Sequence, residues 1–201
     1  GKAMSEHKDL EMISFTGSTR AGIDIQKTAA DNIKRVSLEL GGKSPNIVFE
    51  DADFEAAIMG VISGIFAATG QTCIAGSRLL VQDSIYEKFV ERLVKVASEA
   101  KIGDPMSLDT HVGPVTTKPQ FEKIMSYIDI AKSEGAKCLL GGKAYSGTDV
   151  KGNRFVEPTI FTDVNNDMRI AQEEVFGPVL SIIRFKDEEE AIKIGNDVIF
   201  G

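Results

Sequence analysis

The chain has 201 residues, of which 42% are hydrophobic and 26% are charged. This composition is typical of globular proteins, so intrinsic disorder and collagen-like repeats are excluded, and the length predicts one sizeable core or one domain with part of another. The net charge of −7 and the lack of a basic block argue against a nucleic-acid partner, because contacts with phosphates need clustered Lys and Arg.

The pattern along the first part of the chain alternates strands with a helix. Residues 11–15 predict a short strand, 19–30 a helix, and 36–40 a second strand that ends at a Gly-Gly turn. Ile23 and Ile25 are candidates for burial in this helix.

A long uncharged run at residues 56–77 has to be weighed as a membrane span. Its last third includes the polar stretch 69–73, and a bilayer crossing needs roughly 20 consecutive apolar residues. The run therefore predicts a buried helix, which Asp51 or Asp53 caps. No membrane partner is expected.

The alternation continues to the end of the chain. The predicted extended segments are residues 45–49, 78–82, 136–140, 155–161 and 179–185, and the predicted helices are 86–97, 121–135 and 186–196. Ser84 and Glu87 form a capping-box pattern before the first of these helices, and a polar turn is expected at 148–153. Alternating strands and helices predict an α/β fold with a parallel or mixed sheet covered by helices.

Residues 17–22, Gly-Ser-Thr-Arg-Ala-Gly, lie between a predicted strand and a predicted helix. Backbone N–H groups at a helix start offer a site for a phosphate, which the helix dipole favours. The spacing matches the first part of a P-loop, but Ile23 and Asp24 replace the Lys and Ser/Thr that such a loop needs. A phosphate site and an ordinary turn both stay open.

Cys73 lies within residues 70–77, Gly-Gln-Thr-Cys-Ile-Ala-Gly-Ser. One interpretation is a nucleophilic thiol on a tight loop, where glycines admit a substrate and N–H donors. The other is a small buried hydrophobe, which most free cysteines are. Cys138 is expected to be a structural strand residue. Without C-x-x-C spacing, neither a disulfide framework nor a zinc site is expected, and a cytoplasmic location is indicated.

Two further segments carry carboxylates. Glu39 lies between two leucines. Apolar neighbours would raise its pKa, and a raised pKa would suit a general base. The alternative is a Glu that caps a helix or forms a salt bridge. Residues 173–178, Glu-Glu-Val-Phe-Gly-Pro, are either a helix end entering a strand or a place where a carboxylate and a ring hold a ribose and a flat base. His7 and His111 have no partners at ligand spacing, so no metal site is expected.

Together these segments resemble the aldehyde dehydrogenase superfamily. The resemblance is carried by residues 15–19, 38–45, 70–73 and 173–178, which appear in the family's order. It implies an α/β fold of the aldehyde dehydrogenase type, with a mostly parallel sheet and flanking helices, truncated at both ends. Residues 1–41 would be the C-terminal part of the dinucleotide-binding domain, and residues 42–201 a catalytic domain incomplete at its C-terminus.

The resemblance also implies an NAD(P)-dependent oxidation of an aldehyde to a carboxylic acid. Cys73 would attack the aldehyde to give a thiohemiacetal, whose oxyanion the Cys73 N–H would hold in part. Loss of hydride to the nicotinamide would leave a thioester on Cys73. Glu39 would activate the water that hydrolyses this thioester, and its presence favours acid release over transfer to coenzyme A.

Five further residues are implied in cofactor binding. Gly17 and Ser18 would meet the pyrophosphate, and Leu40 would offer its backbone to the nicotinamide amide. Glu174 would bind the ribose hydroxyls, and Phe176 would pack beside them. NAD is the expected cofactor, with NADP as the alternative.

The expected partners are a small-molecule aldehyde and further copies of the chain. Apolar faces left by the truncated ends would be covered by association, which makes a homo-oligomer the expected state. The competing hypothesis is a catalytically silent fragment that persists as a folded or self-associating module.

Overall fold

A computed structural model describes residues 1–147, 152 and 154–200. The polar turn predicted at 148–153 lies, apart from residue 152, outside the described residues. The chain divides into two compact units, Gly1–Gly42 and Lys43–Gly201. The division lies beside the expected domain boundary after residue 41, and the cofactor and catalytic roles of the two units stay predictions.

The first unit combines a parallel strand pair with two helices. Its elements are α1 (Lys2–Glu6), β1 (Met12–Thr16), α2 (Thr19–Ala30) and β2 (Arg35–Glu39). The strands pair in parallel, with Thr16 opposite Glu39. The predicted bounds of the helix at 19–30 are confirmed. The burial predicted for Ile23 is wrong, since 48% of this residue is exposed.

In the part of the second unit that the structure describes, five strands form one sheet. Its strands are β3 (Pro45–Val48), β4 (Arg78–Gln82), β5 (Lys137–Leu140), β6 (Thr159–Thr162) and β7 (Val179–Phe185), in the spatial order β3-β4-β7-β6-β5. All pairs are parallel except β5 with β6. The sheet is therefore mixed, one of the two alternatives that the sequence left open.

Among the residues that the structure describes, five α-helices surround this sheet. They are α3 (Phe54–Phe66), α4 (Tyr86–Ser98), α5 (Lys118–Ser133), α6 (Arg169–Gln172) and α7 (Glu188–Asn196). Asp53 caps α3 through its side chain, which accepts from the Ala56 N–H at 3.0 Å. The capping box predicted before α4 is wrong, because the N-cap is Ile85 and no described side chain caps the helix; the Ser84 hydroxyl donates to Glu50.

Hydrophobic residues cover both faces of the sheet. Along β4, Leu79 belongs to a cluster with α3 and α4, whereas Leu80 belongs to a second cluster with α5. Ile182 and Ile183 divide in the same way along β7. Successive residues of a strand point to opposite faces, so the central strands are buried on both sides. Within the described residues, no helix is long and apolar enough to cross a membrane.

Candidate active site

The carboxyl ends of β1 and β2 bring together several of the predicted site residues. The Gly17 N–H donates to the Glu39 carbonyl oxygen at 3.0 Å. A Cβ built on Gly22 would lie 2.6 Å from Cδ2 of Leu40, so Gly22 lets Leu40 lie against the first turn of α2. Gly17, Glu39 and Leu40 therefore share one end of the strand pair, which is where parallel sheets place ligand sites.

The N-terminus of α2 has the electrostatics of an anion site. Ser18 is the N-cap, and its Oγ accepts from the Ala21 N–H at 3.3 Å. The first turn contains no acidic residue. Because the first N–H groups of a helix have no partner inside the helix, they and the helix dipole favour a phosphate here.

A cavity lies beside α2 within the first unit. Its volume is about 560 Å³, and Phe15, Ala21, Ile25 and Thr28 line it together with Lys2 and Ser5 of α1. The sequence did not predict α1, and so did not predict this cavity. Its apolar wall, close to the helix N-terminus, fits a flat base attached to a pyrophosphate.

Cys73 follows a left-handed turn in the second unit. Ala68, Thr69 and Gly70 have φ values of 49°, 57° and 67°, although only glycine adopts this region without steric cost. Strain of this kind costs on the order of 1–3 kcal/mol per residue and concentrates at functional sites. Cys73 itself is half-buried, so its thiol lies within reach of small molecules.

The turn before Cys73 packs directly on the segment of residues 173–178. A Cβ built on Gly70 would lie 2.1 Å from the Gly177 carbonyl oxygen, which leaves room for glycine alone. Two predicted site regions, distant in sequence, are thereby in contact. Glu174 and Phe176 are both half-buried.

Helix α5 holds the backbone of this segment in place. Nε2 of Gln120 donates to the carbonyl oxygens of Val175 and Phe176 at 2.9 and 3.0 Å. Phe176 has a φ of 58°, a strained value for a residue with an aromatic side chain. The two hydrogen bonds stabilise a conformation that the sequence alone disfavours.

The carboxylate of Glu173 has a structural role. Arg169 Nε donates to Glu173 at 2.8 Å, and the Tyr127 hydroxyl also donates to this carboxylate. Arg169 is the main cause of the lowered pKa of Glu173. Burial, and then the hydrogen bond to Glu173, raise the pKa of Tyr127 to about 12.

The family model described as "Aldehyde dehydrogenase family" matches residues 1–201. The chain belongs to the aldehyde dehydrogenase family. It is 51% identical over 202 residues to an aldehyde dehydrogenase of Aspergillus niger, covering 100% of this chain and 40% of that protein. It is 45% identical over 201 residues to betaine aldehyde dehydrogenase of Bacillus subtilis, covering 100% of this chain and 41% of that protein.

Solved structures confirm the aldehyde dehydrogenase fold. Betaine aldehyde dehydrogenase from Staphylococcus aureus, in complex with NAD⁺, matches with a TM-score of 0.97 and 47% identity, covering 100% of this chain and 40% of that one. The expected fold class, a mostly parallel sheet with flanking helices, is therefore confirmed. The chain spans about 40% of the length of the curated relatives it matches.

The sequence did not predict that a lysine is buried beside these aldehyde dehydrogenase motifs. Lys43 is 2% exposed, and within the described residues its Nζ has no hydrogen-bond partner. The pKa of Lys43 is lowered to about 7, mainly by burial and also by the charge of Arg78, while the charge of Glu174 partly offsets this. Lys43 therefore contributes a titrating charge near the carboxylate that was predicted to bind ribose.

The other cysteine and the histidines lie outside this arrangement. Cys138 is on β5, where its Sγ donates to the Leu140 carbonyl oxygen at 3.2 Å and burial raises its pKa. Nδ1 of His111 accepts from the Lys101 N–H at 3.0 Å. Among the residues that the structure describes, no group of three or more His, Cys, Asp or Glu side chains could hold a metal ion.

Proposed function

We propose that this chain carries the nucleophile and part of the cofactor site for NAD-dependent oxidation of an aldehyde to a carboxylic acid. One observation carries the proposal: the strained turn before Cys73 packs against the segment that bears Glu174 and Phe176. A nucleophile and a carboxylate suited to a ribose are thereby in neighbouring segments, as hydride transfer from a substrate on Cys73 requires.

Cys73 provides covalent catalysis in this proposal. Its thiolate sulfur attacks the aldehyde carbon, a C–S bond forms, and the carbonyl oxygen becomes an oxyanion that the Cys73 N–H stabilises. NAD⁺, when bound, would supply the acceptor for the hydride of this carbon, and Cys73 would hold the resulting thioester. The half-buried position of Cys73 supports this role, because the thiol is accessible without being fully solvated.

Glu39 completes the reaction as a general base. Its carboxylate takes a proton from water, the water oxygen attacks the thioester carbon, and the C–S bond breaks to release the acid and the Cys73 thiolate; Glu39 then gives the proton to solvent. Glu39 is exposed at the end of β2, so water reaches the carboxylate.

Each unit would contribute residues to cofactor binding. Gly17 and Ser18 would hold the pyrophosphate at the N-terminus of α2, and the cavity beside α2 would take the flat base. Leu40 would offer its backbone to the nicotinamide amide, Glu174 would bind the ribose hydroxyls, and Phe176 would pack beside them. The NAD⁺ complex of the Staphylococcus aureus relative supports NAD as this cofactor.

A homo-oligomer is part of the proposal. Large apolar side chains are exposed at Ile33, Met106 and Leu108, with exposures of 93%, 88% and 105%. Association of further copies would remove such side chains from water. Sedimentation equilibrium over a range of concentrations tests this, and a monomer at every concentration would exclude it.

Formation of reduced cofactor tests the proposed reaction. The full chain is given NAD, or NADP as the alternative, with a panel of short, aromatic and acidic aldehydes. We expect aldehyde-dependent reduction that Cys73→Ala abolishes and that the matched variant Cys138→Ala retains. Reduction that persists in Cys73→Ala, or no reduction with any aldehyde, would exclude the proposal; the second result is expected of a silent module.

A further inference from the structure

We propose that Gln71 is a positioning residue for Cys73, acting through the segment of residues 113–117; this inference rests on the proposed function. Gln71 lies two residues before Cys73 in the chain. Its Oε1 accepts from both the N–H and the hydroxyl of Thr116, each at 3.0 Å, and its Nε2 donates to the Ala68 carbonyl oxygen at 3.4 Å. Both ends of the amide are thus engaged.

The turn that Gln71 ends needs such support. Ala68 and Thr69 hold left-handed φ values, and without external contacts an ordinary residue leaves this region. Thr69 is 5% exposed, and its Oγ1 donates to the Gly113 carbonyl oxygen at 3.2 Å. Two side chains of the turn therefore bind the 113–117 segment, one near each of its ends.

The 113–117 segment is itself firmly held. The Val115 N–H donates to the Arg154 carbonyl oxygen at 2.7 Å, and Arg154 Nε donates to the Val115 carbonyl oxygen at 3.1 Å. Thr117 caps α5, the helix whose Gln120 binds the backbone of Phe176. Because the 113–117 segment is held at these points, it can fix the position of the Cys73 loop relative to the segment that carries Glu174.

Loss of the Gln71 contacts has a specific consequence. The strained turn would open more often, which would expose the half-buried thiol and at the same time displace it from the attacking position. Misplacement of a reacting atom by about 1 Å can lower a rate by about a hundredfold. Gln71 variants should therefore speed alkylation of Cys73 while slowing turnover. A loss of overall stability would also do both, but it would speed alkylation of Cys138 as well.

The test compares four forms of the full chain: wild type, Gln71→Met, Thr116→Val and Thr116→Ser. Gln71→Met keeps the length of the side chain without its polar atoms, and Thr116→Ser keeps the hydroxyl that Thr116→Val removes. Iodoacetamide labelling of Cys73 and Cys138 is followed by peptide mass spectrometry. We expect Cys73 to label about fivefold faster in Thr116→Val, the factor for loss of one net hydrogen bond in loop opening, and faster still in Gln71→Met, which removes three hydrogen bonds.

Cys138 and Thr116→Ser provide the internal controls. We expect Cys138 to label at the wild-type rate in every form, and Thr116→Ser to match wild type at both cysteines. Acceleration at both cysteines, or no acceleration at Cys73, would overturn the positioning role. Turnover is measured separately. In Gln71→Met and Thr116→Val we expect kcat to fall about tenfold with KM for NAD unchanged. An unchanged kcat in these variants would overturn the inference. If wild type reduces no cofactor, the proposed reaction fails, while the labelling rates still decide whether Gln71 holds the loop.

Discussion

Gly70 lies directly against the carbonyl oxygen of Gly177, so closely that a Cβ on Gly70 would be 2.1 Å from that oxygen. This contact joins the turn before Cys73 to the segment that carries Glu174 and Phe176. Glycine is required here for two reasons, the close contact and the backbone conformation, since Gly70 also has a φ of 67°. Packing and backbone conformation at this position therefore both serve the candidate active site.

The first prediction concerns Gly70→Ala. A methyl group here would meet backbone atoms, which cannot move aside as a flexible side chain can, and alanine would also be strained at this φ. We expect the free energy of unfolding, measured in urea, to fall by about 3 kcal/mol or more.

Gly60→Ala is the matched control for Gly70→Ala. Gly60 lies inside α3, and a Cβ there would meet no atom within 4 Å. Alanine is the better helix former, so we expect a gain of up to about 1 kcal/mol. Equal stability of the two variants would show that the Gly70–Gly177 contact imposes no constraint.

The second prediction concerns the support of Glu173. Tyr127→Phe removes one hydroxyl that donates to this carboxylate and leaves the ring in place. The segment of residues 173–178 should loosen, and we expect NAD to bind about fivefold more weakly by isothermal titration calorimetry, with kcat little changed. Tyr86→Phe, on α4, should leave NAD affinity unchanged; equal affinities of the two variants would exclude this role for Tyr127.

The third prediction concerns the pH dependence of stability. Burial lowers the pKa of Lys43 to about 7 from its ordinary value of 10.5. Between these two values the unfolded state binds more protons than the folded state, so the free energy of unfolding rises with pH. Relative to Lys43→Met, wild type should gain roughly 1 kcal/mol per pH unit across this window and show no further change below it.

Lys95→Met serves as the control for the titration of Lys43. Lys95 is an exposed lysine on α4. Urea unfolding at several pH values should give a Lys95→Met curve parallel to wild type. A Lys43→Met curve that is also parallel to wild type would contradict the assignment of this pH dependence to Lys43.

Much of the fold was predictable because local patterns and tertiary structure agree. Residues 78–82 and 179–185 are confirmed as β4 and β7, since short apolar runs suit strands that are buried on both faces. The capping box at Ser84 is not formed: within the described residues no side chain caps α4, and the Ser84 hydroxyl donates to Glu50, which is distant in sequence. Tertiary contacts of this kind leave no mark in a local pattern.

The candidate site was predictable only in part. From local residues, Cys73 and Glu39 each had two interpretations, and only the joint order of four motifs favoured the catalytic ones. The left-handed conformation of Ala68 and Thr69 has no signal in the sequence, because neither residue type prefers it. The burial of Lys43 could not be predicted from the sequence either, because a lysine beside two glycines is typical of an exposed turn.

In the proposed reaction, a thioester forms on Cys73 and Glu39 activates the water that hydrolyses it. The most direct measurement is peptide mass spectrometry of Glu39→Gln after mixing with NAD and an aldehyde that wild type oxidises, with Glu50→Gln as the control. We expect an acyl group to accumulate on Cys73 in Glu39→Gln alone, with about one reduced cofactor per acylated chain. Steady turnover of Glu39→Gln at the wild-type rate, with Cys73 unmodified, would contradict the proposed reaction.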